Sequence, residues 1–348
     1  MKLVGYGLLS SVPSLLYLPS IRYLASQAQS KPAPLTVGIA PAPPQFIAQL
    51  AEQRKEVRVE SMRDMLPPDV NRMTPAQITE YIQLITNKCD AIILPGSRHP
   101  IDGVFTGFPR TPRDDERIHH SFLRMAAVYC AQKGEKPLMA ICDGVNYLNL
   151  IHGGTCAPVT LLAMATHGQP FLAHAHGFHD IIIPKGSWQH ALASKHPKSQ
   201  HDEAGNAILP QVCSTHPFYQ QRLPAHAVVL AYSKDLVPAI IQYSAVSIGI
   251  QDHLEQHETS SMFMGEAPCS DGTAPEEAKH PSPSNHLIHE NLTVFLRATA
   301  LRKEHKSVAA TRPINAAIVE MLHSKEPFSY WIKRHQERQS AGATVPAH

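Results

Sequence analysis

The chain has 348 residues, enough for one large or two ordinary domains with a substantial apolar core. Charged residues make up 17% of it, below the roughly 25% of a typical soluble domain, and the formal net charge is +2. These values argue against an electrostatic nucleic-acid binder. Six scattered cysteines without a CxxC pair indicate thiols in a reducing compartment and not a disulfide framework.

Residues 1–33 are interpreted as an N-terminal extension. An apolar stretch follows Lys2 and reaches small residues at Ala25–Ala28, which resembles a weak secretory signal. Its serine, proline and glycine content argues against a stable membrane helix, and no other stretch is apolar enough to span a bilayer. The alternative is a loosely docked or disordered extension. We expect a cytoplasmic protein, or a secreted or periplasmic one if residues 1–33 act as a signal.

From residue 34 to residue 142, short apolar runs alternate with helical patterns. Strands are predicted at 35–40, 57–62, 90–97 and 137–142, and helices at 43–56, 74–84 and 113–133. Thr74 is a suitable N-cap and Pro75 suits the first helical position. This alternation is typical of βαβ units, in which right-handed crossovers place helices on both faces of a parallel sheet.

After Gly154 the pattern changes to strands with little helix between them. They are predicted at 180–184, 210–214, 227–233, 238–244 and 247–251. We therefore predict an α/β, flavodoxin-like three-layer sandwich with a mostly parallel central sheet and an additional antiparallel section. One domain would span 34–305, with a polar, proline-rich loop insertion at 259–285 and an amphipathic helix at 289–307. Residues 306–348 would form a helical C-terminal extension with a disordered tail.

Cys142 stands at the end of an apolar strand, directly before Asp143-Gly144 and a helical pattern that stops at Gly153-Gly154. Open α/β sheets bind ligands at the carboxyl ends of their strands. A sharp turn from a strand into a helix exposes the side chain of the nucleophile and aims the backbone N–H groups that follow it at one point. The N-terminus of the helix also favours the thiolate form of a cysteine placed there. Gly144 would leave room for a substrate. The alternative is a buried core cysteine, and spacing alone does not separate the two.

A thiol nucleophile needs a base and a group that orients the base. His253 follows the predicted strand 247–251, and Glu255 lies two residues further on. A carboxylate at that place can hold the imidazole in one tautomer, as the third member of a triad does. The alternative is that His253 is one of 22 histidines, in a surface turn.

Three ordered segments resemble class I glutamine amidotransferase-like proteins: AIILPGS (91–97), KPLMAICDGVNYLNLIHGGT (136–155) and IGIQDHLE (248–255). The chain most resembles the γ-glutamyl hydrolases of peptidase family C26, which cleave compounds such as γ-glutamyl-γ-aminobutyrate. The helix start Arg113-Asp114-Asp115-Glu116, Lys136-Pro137 and Gly153-Gly154-Thr155 match motifs of that branch. The resemblance covers residues 34–258, with 289–303 as the family's last helix.

The resemblance implies acyl transfer through a cysteine. Cys142 would be the nucleophile, His253 the general base and acid, and Glu255 the orienting carboxylate. The oxyanion hole would use the backbone N–H of Asp143 and one from the Gly96-Ser97 turn, which stabilise the negative charge that develops on the carbonyl oxygen.

Four further residues would contact a small γ-glutamyl substrate: Asn146, Ser214, Thr215 and His216. Several positions depart from the family pattern. Asp143 stands where arginine is common, Ser97 replaces a second glycine, and the usual Trp-His-Pro-Glu reads Asp252-His253-Leu254-Glu255. A negative carboxylate at position 143 would disfavour the thiolate and raise the pKa of the Cys142 thiol, whereas the N-terminus of the helix would lower that pKa.

The first rival interpretation is a zinc site. His174, His176 and His179 stand at a spacing that suits nitrogen and oxygen ligands of zinc. Further candidate ligands are Asp180, His119, His120 and His152. Histidine is abundant throughout the chain, however, so we predict no metal and no cofactor. The expected partner is a small-molecule substrate, with no nucleic acid and no membrane span, and a homodimer is left open.

Two other functions share the predicted triad. One is a glutaminase that supplies ammonia to a separate partner. The other is a non-catalytic binding or regulatory protein on the same fold. The changes at the substrate positions favour this alternative, and the presence of Cys142, His253 and Glu255 argues against it. The reactivity of the Cys142 thiol distinguishes the last reading from catalysis.

Overall fold

The fold is seen in a computed structural model that describes residues 34–40, 54, 57–62, 64–67, 70–97, 115–161, 174, 177–214, 216–252, 283–305, 318–319 and 322–325. The predictions for 1–33, for most of the 43–56 helix, for the loop up to residue 282 and for nearly all of 306–348 fall outside these residues. So do Thr215, His253 and Glu255.

Twelve strands lie in the described part of the chain. They are β1 (Leu35–Ile39), β2 (Val57–Ser61), β3 (Ala91–Leu94), β4 (Leu138–Ile141), β5 (Thr155–Pro158), β6 (Gly177–Ile183), β7 (Gln200–His201), β8 (Ala207–Ser214), β9 (Phe218–Arg222), β10 (Val228–Ser233), β11 (Pro238–Ser244) and β12 (Ser247–Ile250). Ten of them form one sheet, in the order β2-β1-β3-β4-β12-β11-β10-β6-β8-β7.

The first half of this sheet is parallel. β2, β1, β3, β4 and β12 pair side by side in the same direction, which is the order of a flavodoxin-like, doubly wound sheet. Every residue of β3, β4 and β12 is buried, because helices cover both faces of the parallel section. The predicted parallel core is confirmed.

The second half, from β11 to β7, is antiparallel, as predicted. β5 and β9 were not predicted and form a separate two-stranded antiparallel sheet. The signal for β9 is weak because one of its inward positions is a glutamine, Gln220, where an alternating apolar pattern would place an aliphatic residue.

Five α-helices lie in the described part of the chain: α1 (Pro75–Lys88), α2 (Asp115–Lys133), α3 (Asp143–Ile151), α4 (Trp188–Ala193) and α5 (Pro283–His305), and Val70–Arg72 forms a 3-10 turn. The predicted start of α1 is confirmed by a capping box. The Thr74 hydroxyl accepts a hydrogen bond from the Gln77 N–H at 3.2 Å, and the Gln77 side chain accepts one from the Thr74 N–H at 2.8 Å. None of the described helices combines the length and apolarity needed to cross a membrane.

Two apolar clusters cover the two faces of the sheet. Residues of α1, α2 and α3 form the first, and residues of α5 and the antiparallel strands contribute to the second. Helix α5 contributes Leu292, Phe295 and Leu296 at helical spacing. The predicted three-layer sandwich is therefore present, and the carboxyl ends of β3, β4 and β12 meet at one edge of its middle layer.

Candidate active site

Cys142 occupies a strained turn between β4 and α3. Its φ of 49° and ψ of −114° place a non-glycine residue in a sparsely populated region of backbone space, at a cost of about 1–3 kcal/mol. Two hydrogen bonds hold it there. The Cys142 N–H donates to the Ile250 carbonyl at 2.7 Å, and the Cys142 carbonyl accepts from the Val145 N–H at 3.0 Å. The predicted strand–cysteine–helix turn is present.

Gly144 lies against the end of β3. A Cβ atom at this position would lie 2.4 Å from the carbonyl oxygen of Leu94, closer than real Cβ contacts come. We expected Gly144 to leave room for a substrate, but the space beside its Cα atom is filled by the backbone of Leu94 in β3. The missing side chain lets the turn at Cys142 approach the segment that leads into Gly96 and Ser97.

The Cys142 side chain is buried, with 1% of its surface exposed, although the turn was expected to expose it. The physical reason is the position of β4 in the sheet. Because β3 and β12 flank it on either side, the end of β4 lies within the apolar layer that includes Ile141 and Ile250. Cys89, Cys130 and Cys156 are also buried, and none of these four cysteines forms a disulfide.

A buried arginine that the sequence did not point to stands beside the turn. Arg124, on α2, places its Nε 3.9 Å from Oδ2 of Asp143, and both side chains are buried. Its Nη2 also donates to the Pro95 carbonyl, one residue before the predicted oxyanion turn at Gly96-Ser97. From its sequence position, the Asp143 carboxylate was expected to disfavour a thiolate at Cys142. The guanidinium of Arg124 places a positive charge beside that carboxylate and so offsets part of this effect.

A chain of buried amides extends from the turn. Asn146 donates to Oδ1 of Asp143 at 3.4 Å and accepts from Nε2 of Gln220 at 2.9 Å. Gln220 also donates to Oε1 of Gln251 at 2.5 Å, just after β12. Both ends of the Asn146 amide therefore have protein partners, and its predicted role in substrate binding stays a prediction.

The predicted base and carboxylate, His253 and Glu255, lie outside the described residues. The strand that leads to them is well placed, because Ile250 is the cross-strand partner of Ile141. Neighbouring strands lie about 4.8 Å apart, so the chain passes Cys142 three residues before position 253. Asp252, at the end of the described segment, has 1% of its surface exposed.

Two of the predicted substrate contacts, Ser214 and His216, pack against His174. The Ser214 hydroxyl and the His216 backbone N–H both donate to the His174 carbonyl, each at 2.9 Å. Nδ1 of His216 donates to the Phe218 carbonyl at 2.9 Å, and burial lowers the pKa of His216 to about 3. Both side chains are buried in this arrangement.

Two carboxylates lie against this histidine group. Nε2 of His174 donates to both oxygens of Asp235, at 2.9 and 3.1 Å. Burial raises the pKa of Asp235, but hydrogen bonds from His174 and Ser233 outweigh it and hold that pKa below its usual value. Nε2 of His179 lies 3.1 Å from Asp252. Burial lowers the pKa of His179, and the contact with Asp252 outweighs it, so the net pKa is raised.

A cysteine on a strained turn, at the carboxyl end of a central strand in a doubly wound parallel sheet, fits a class I glutamine amidotransferase-like protein. The family model of peptidase C26 matches residues 70–255, more than half of the chain, and the chain belongs to that family. The activity of this class is hydrolysis of an amide bond. No curated protein matches the chain in sequence.

Solved structures give more distant likenesses. A glutamine amidotransferase from Thermotoga maritima is 12% identical with a TM-score of 0.42, and the match covers 79% of this chain and 99% of that one. One from Methylobacillus flagellatus is 16% identical with a TM-score of 0.39, over 78% and 93%. The glutaminase domain of CTPS from Trypanosoma brucei, with bound acivicin, is 10% identical with a TM-score of 0.37, over 81% and 98%.

Proposed function

We propose that the chain is a cysteine-dependent hydrolase of γ-glutamyl amide bonds that works through a thioester at Cys142. The observation that carries the proposal is the strained backbone at this residue, since a non-glycine residue persists in such a conformation only where its surroundings impose it. Strain of this kind concentrates at sites of chemistry, and membership of the peptidase C26 family supports the same reading.

The reaction has two halves. In the first, His253 takes the thiol proton, the Cys142 sulfur attacks the γ-carbonyl carbon, and His253 passes that proton to the leaving nitrogen as the carbon–nitrogen bond breaks to release an amine. In the second, His253 takes a proton from water as the water attacks the thioester, and it passes that proton to the sulfur as the carbon–sulfur bond breaks, which releases the γ-carboxylate and restores the thiol. Glu255 holds His253 in the tautomer that both halves need.

The negative charge on the carbonyl oxygen would be stabilised by backbone donors. Asp143 is the first residue of α3, where the N–H groups have no partner within the helix. The second donor would come from Gly96 or Ser97. Arg124 supports both, because it pairs with Asp143 and bonds to the carbonyl of Pro95. We assign Arg124 a positioning role.

A second candidate function is a binding or regulatory protein without turnover. The burial of Cys142 favours it, as do the internal hydrogen bonds of Asn146, Ser214 and His216. A nucleophile that a substrate cannot reach would leave the fold as a ligand-binding scaffold.

The test is release of amine or ammonia from a panel of γ-glutamyl compounds, with glutamine included. Wild type, Cys142→Ser and the matched control Cys89→Ala are compared; Cys89 is also a buried thiol but lies at the amino end of β3, away from the turn. We expect release by wild type and Cys89→Ala and none by Cys142→Ser. Turnover of glutamine alone would indicate a glutaminase, and no release by any protein would favour the binding function.

A further inference from the structure

Three imidazoles come together where the end of β12 meets the antiparallel half of the sheet. His174, His179 and His216 each offer one ligand nitrogen, and these atoms all lie within 4.8 Å of one another. The ring of His174 lies 4.5 Å from that of His179 and 5.0 Å from that of His216, measured between centroids. His174 and His216 are fully buried, and His179 is nearly so.

The hydrogen bonds of two of these rings fix which nitrogen carries a lone pair. Nε2 of His174 faces the Asp235 carboxylate and Nδ1 of His216 faces the Phe218 carbonyl. Both partners accept only, so both of these nitrogens donate. In neutral rings, Nδ1 of His174 and Nε2 of His216 are then acceptors, and they lie 3.2 Å apart. Two lone pairs at this distance repel each other unless a proton or a metal ion lies between them.

A buried carboxylate provides a second, independent observation. Asp252 lies 3.1 Å from Nε2 of His179, in a contact too poorly aligned to be a hydrogen bond. Within the described part of the chain, neither oxygen of Asp252 accepts a hydrogen bond. A buried carboxylate without aligned donors is costly, and a bound cation removes that cost.

We propose that His174, His179, His216 and Asp252 bind one divalent transition-metal ion of the zinc type. Three neutral imidazoles and one carboxylate form an N/O ligand set that suits zinc and not magnesium or calcium, which prefer oxygen alone. In a tetrahedral zinc site with bonds of 2.0–2.1 Å, neighbouring ligand atoms lie roughly 3.3–3.4 Å apart. Two of the separations between the ligand atoms, 3.2 Å for His174–His216 and 3.1 Å for His179–Asp252, are close to that value. The remaining distances between the three imidazole nitrogens are at most 4.8 Å, so the ligands would draw closer together around the ion.

The second layer of contacts also fits a metal site. Histidine ligands generally donate their other ring N–H to a carboxylate or a backbone carbonyl, which fixes the tautomer and the orientation of the ring. Asp235 plays this part for His174, and the Phe218 carbonyl plays it for His216. The proposal does not depend on hydrolysis at Cys142, and a metal here would fix Asp252 directly before His253.

The test uses the full-length protein, stripped of metal with a chelator and then titrated with Co²⁺ and with Zn²⁺. We expect one tight equivalent of Zn²⁺, an intense visible Co²⁺ spectrum of the tetrahedral kind, and a rise in Tm that is complete at one equivalent. His216→Gln should weaken Zn²⁺ binding at least 100-fold and remove the intense spectrum. His201→Gln, at an exposed histidine of β7, is the matched control and should bind as wild type does.

Several outcomes would overturn the proposal. One is a wild type with no tight equivalent, which would mean that the His174–His216 pair shares a proton instead. Another is equal binding by wild type and His216→Gln, which would assign the metal to other histidines of this histidine-rich chain. If His216→Gln does not fold, the wild-type titration decides, since a Tm that keeps rising beyond one equivalent contradicts a single built site.

Discussion

The polar cluster around Cys142 and the histidine cluster differ in which kinds of group face one another. Around Cys142, unlike groups meet: Arg124 lies beside Asp143, and the Asn146 amide oxygen accepts from Gln220. In the histidine cluster, two ring nitrogens, Nδ1 of His174 and Nε2 of His216, face each other, and Asp252, directly after β12, accepts no hydrogen bond within the described chain.

This difference teaches that burial alone does not identify the chemistry of a site. In the first cluster, an opposite charge lies beside the buried carboxylate, which helps to hold the turn that carries Cys142 before a ligand arrives. In the second cluster, two ring nitrogens that face each other need either a proton or a metal ion between them. The predictions that follow test the two regions separately.

The largest expected effect is on the buried charge pair. Arg124→Met removes the positive charge beside the buried Asp143 carboxylate and should lower the free energy of unfolding by about 3–5 kcal/mol. Adding Asp143→Asn should restore more than half of that loss, because the negative charge is then removed as well. Urea unfolding of both variants measures this. Additive losses would contradict the pairing, and the exposed Arg222→Met serves as a control, with a change within about 0.5 kcal/mol.

The close approach of the turn to β3 gives the next effect. Gly144→Ala should destabilise the fold by about 1–3 kcal/mol, because the new methyl group would overlap the Leu94 carbonyl. It should also lower amide hydrolysis, since the turn would be displaced from Gly96-Ser97. Gly134→Ala is the comparison, because its backbone is not left-handed and the nearest atom to its Cβ position, the Cys130 carbonyl oxygen, is 3.2 Å away. Thermal unfolding with no difference between the two would show that the contact with β3 is unimportant.

A third prediction concerns the second layer of the histidine cluster. Asp235→Asn weakens the acceptor that orients His174 and should reduce Zn²⁺ affinity about 10–100-fold, with one equivalent still bound. Competition with a chelator of known affinity provides the measurement. Asp180→Asn, which alters a carboxylate paired with Lys234, should leave the affinity unchanged. Equal losses in the two variants would indicate a general charge effect and not a role for Asp235.

The smallest effect isolates the strain at Cys142. Cys142→Gly should be more stable than Cys142→Ala by about 1 kcal/mol, because only glycine adopts a φ of 49° with a ψ of −114° without strain. At Cys130, in the last turn of α2, the order should reverse, since glycine weakens a helix relative to alanine. An alanine variant as stable as the glycine variant at position 142 would remove the evidence for strain.

The Cys142 turn could be predicted because its signals are contiguous in the sequence. An apolar strand, Asp143-Gly144 and a helical pattern follow one another directly, and parallel strands place their carboxyl ends at one edge. Two details were wrong for physical reasons. The Cys142 thiol was expected to be exposed, but β4 lies in the middle of the sheet and the thiol is buried. The space beside Gly144 was expected to admit a substrate, but the Leu94 backbone fills it.

The features that were missed depend on contacts between distant parts of the chain. Arg124 lies on a helix that precedes the strand, and the only local sign of its burial is the apolar sequence on both sides of it, Phe122-Leu123 before and residues 125–130 after. For the histidines, the local HxHxxH spacing grouped His174, His176 and His179, whereas the structure joins His174 and His179 to the distant His216. Their carboxylate partners lie on two further segments, so no local motif contains the group.

The most direct test of the central claim is to trap the acyl-enzyme. Wild-type protein is mixed with a γ-glutamyl anilide, quenched in acid within the first turnover and mapped by peptide mass spectrometry, with Cys142→Ala beside it. The account predicts a γ-glutamyl thioester on the peptide that contains Cys142, and neither adduct nor aniline release in the variant. Aniline release that survives in Cys142→Ala, or an acyl group found on another residue, would contradict it.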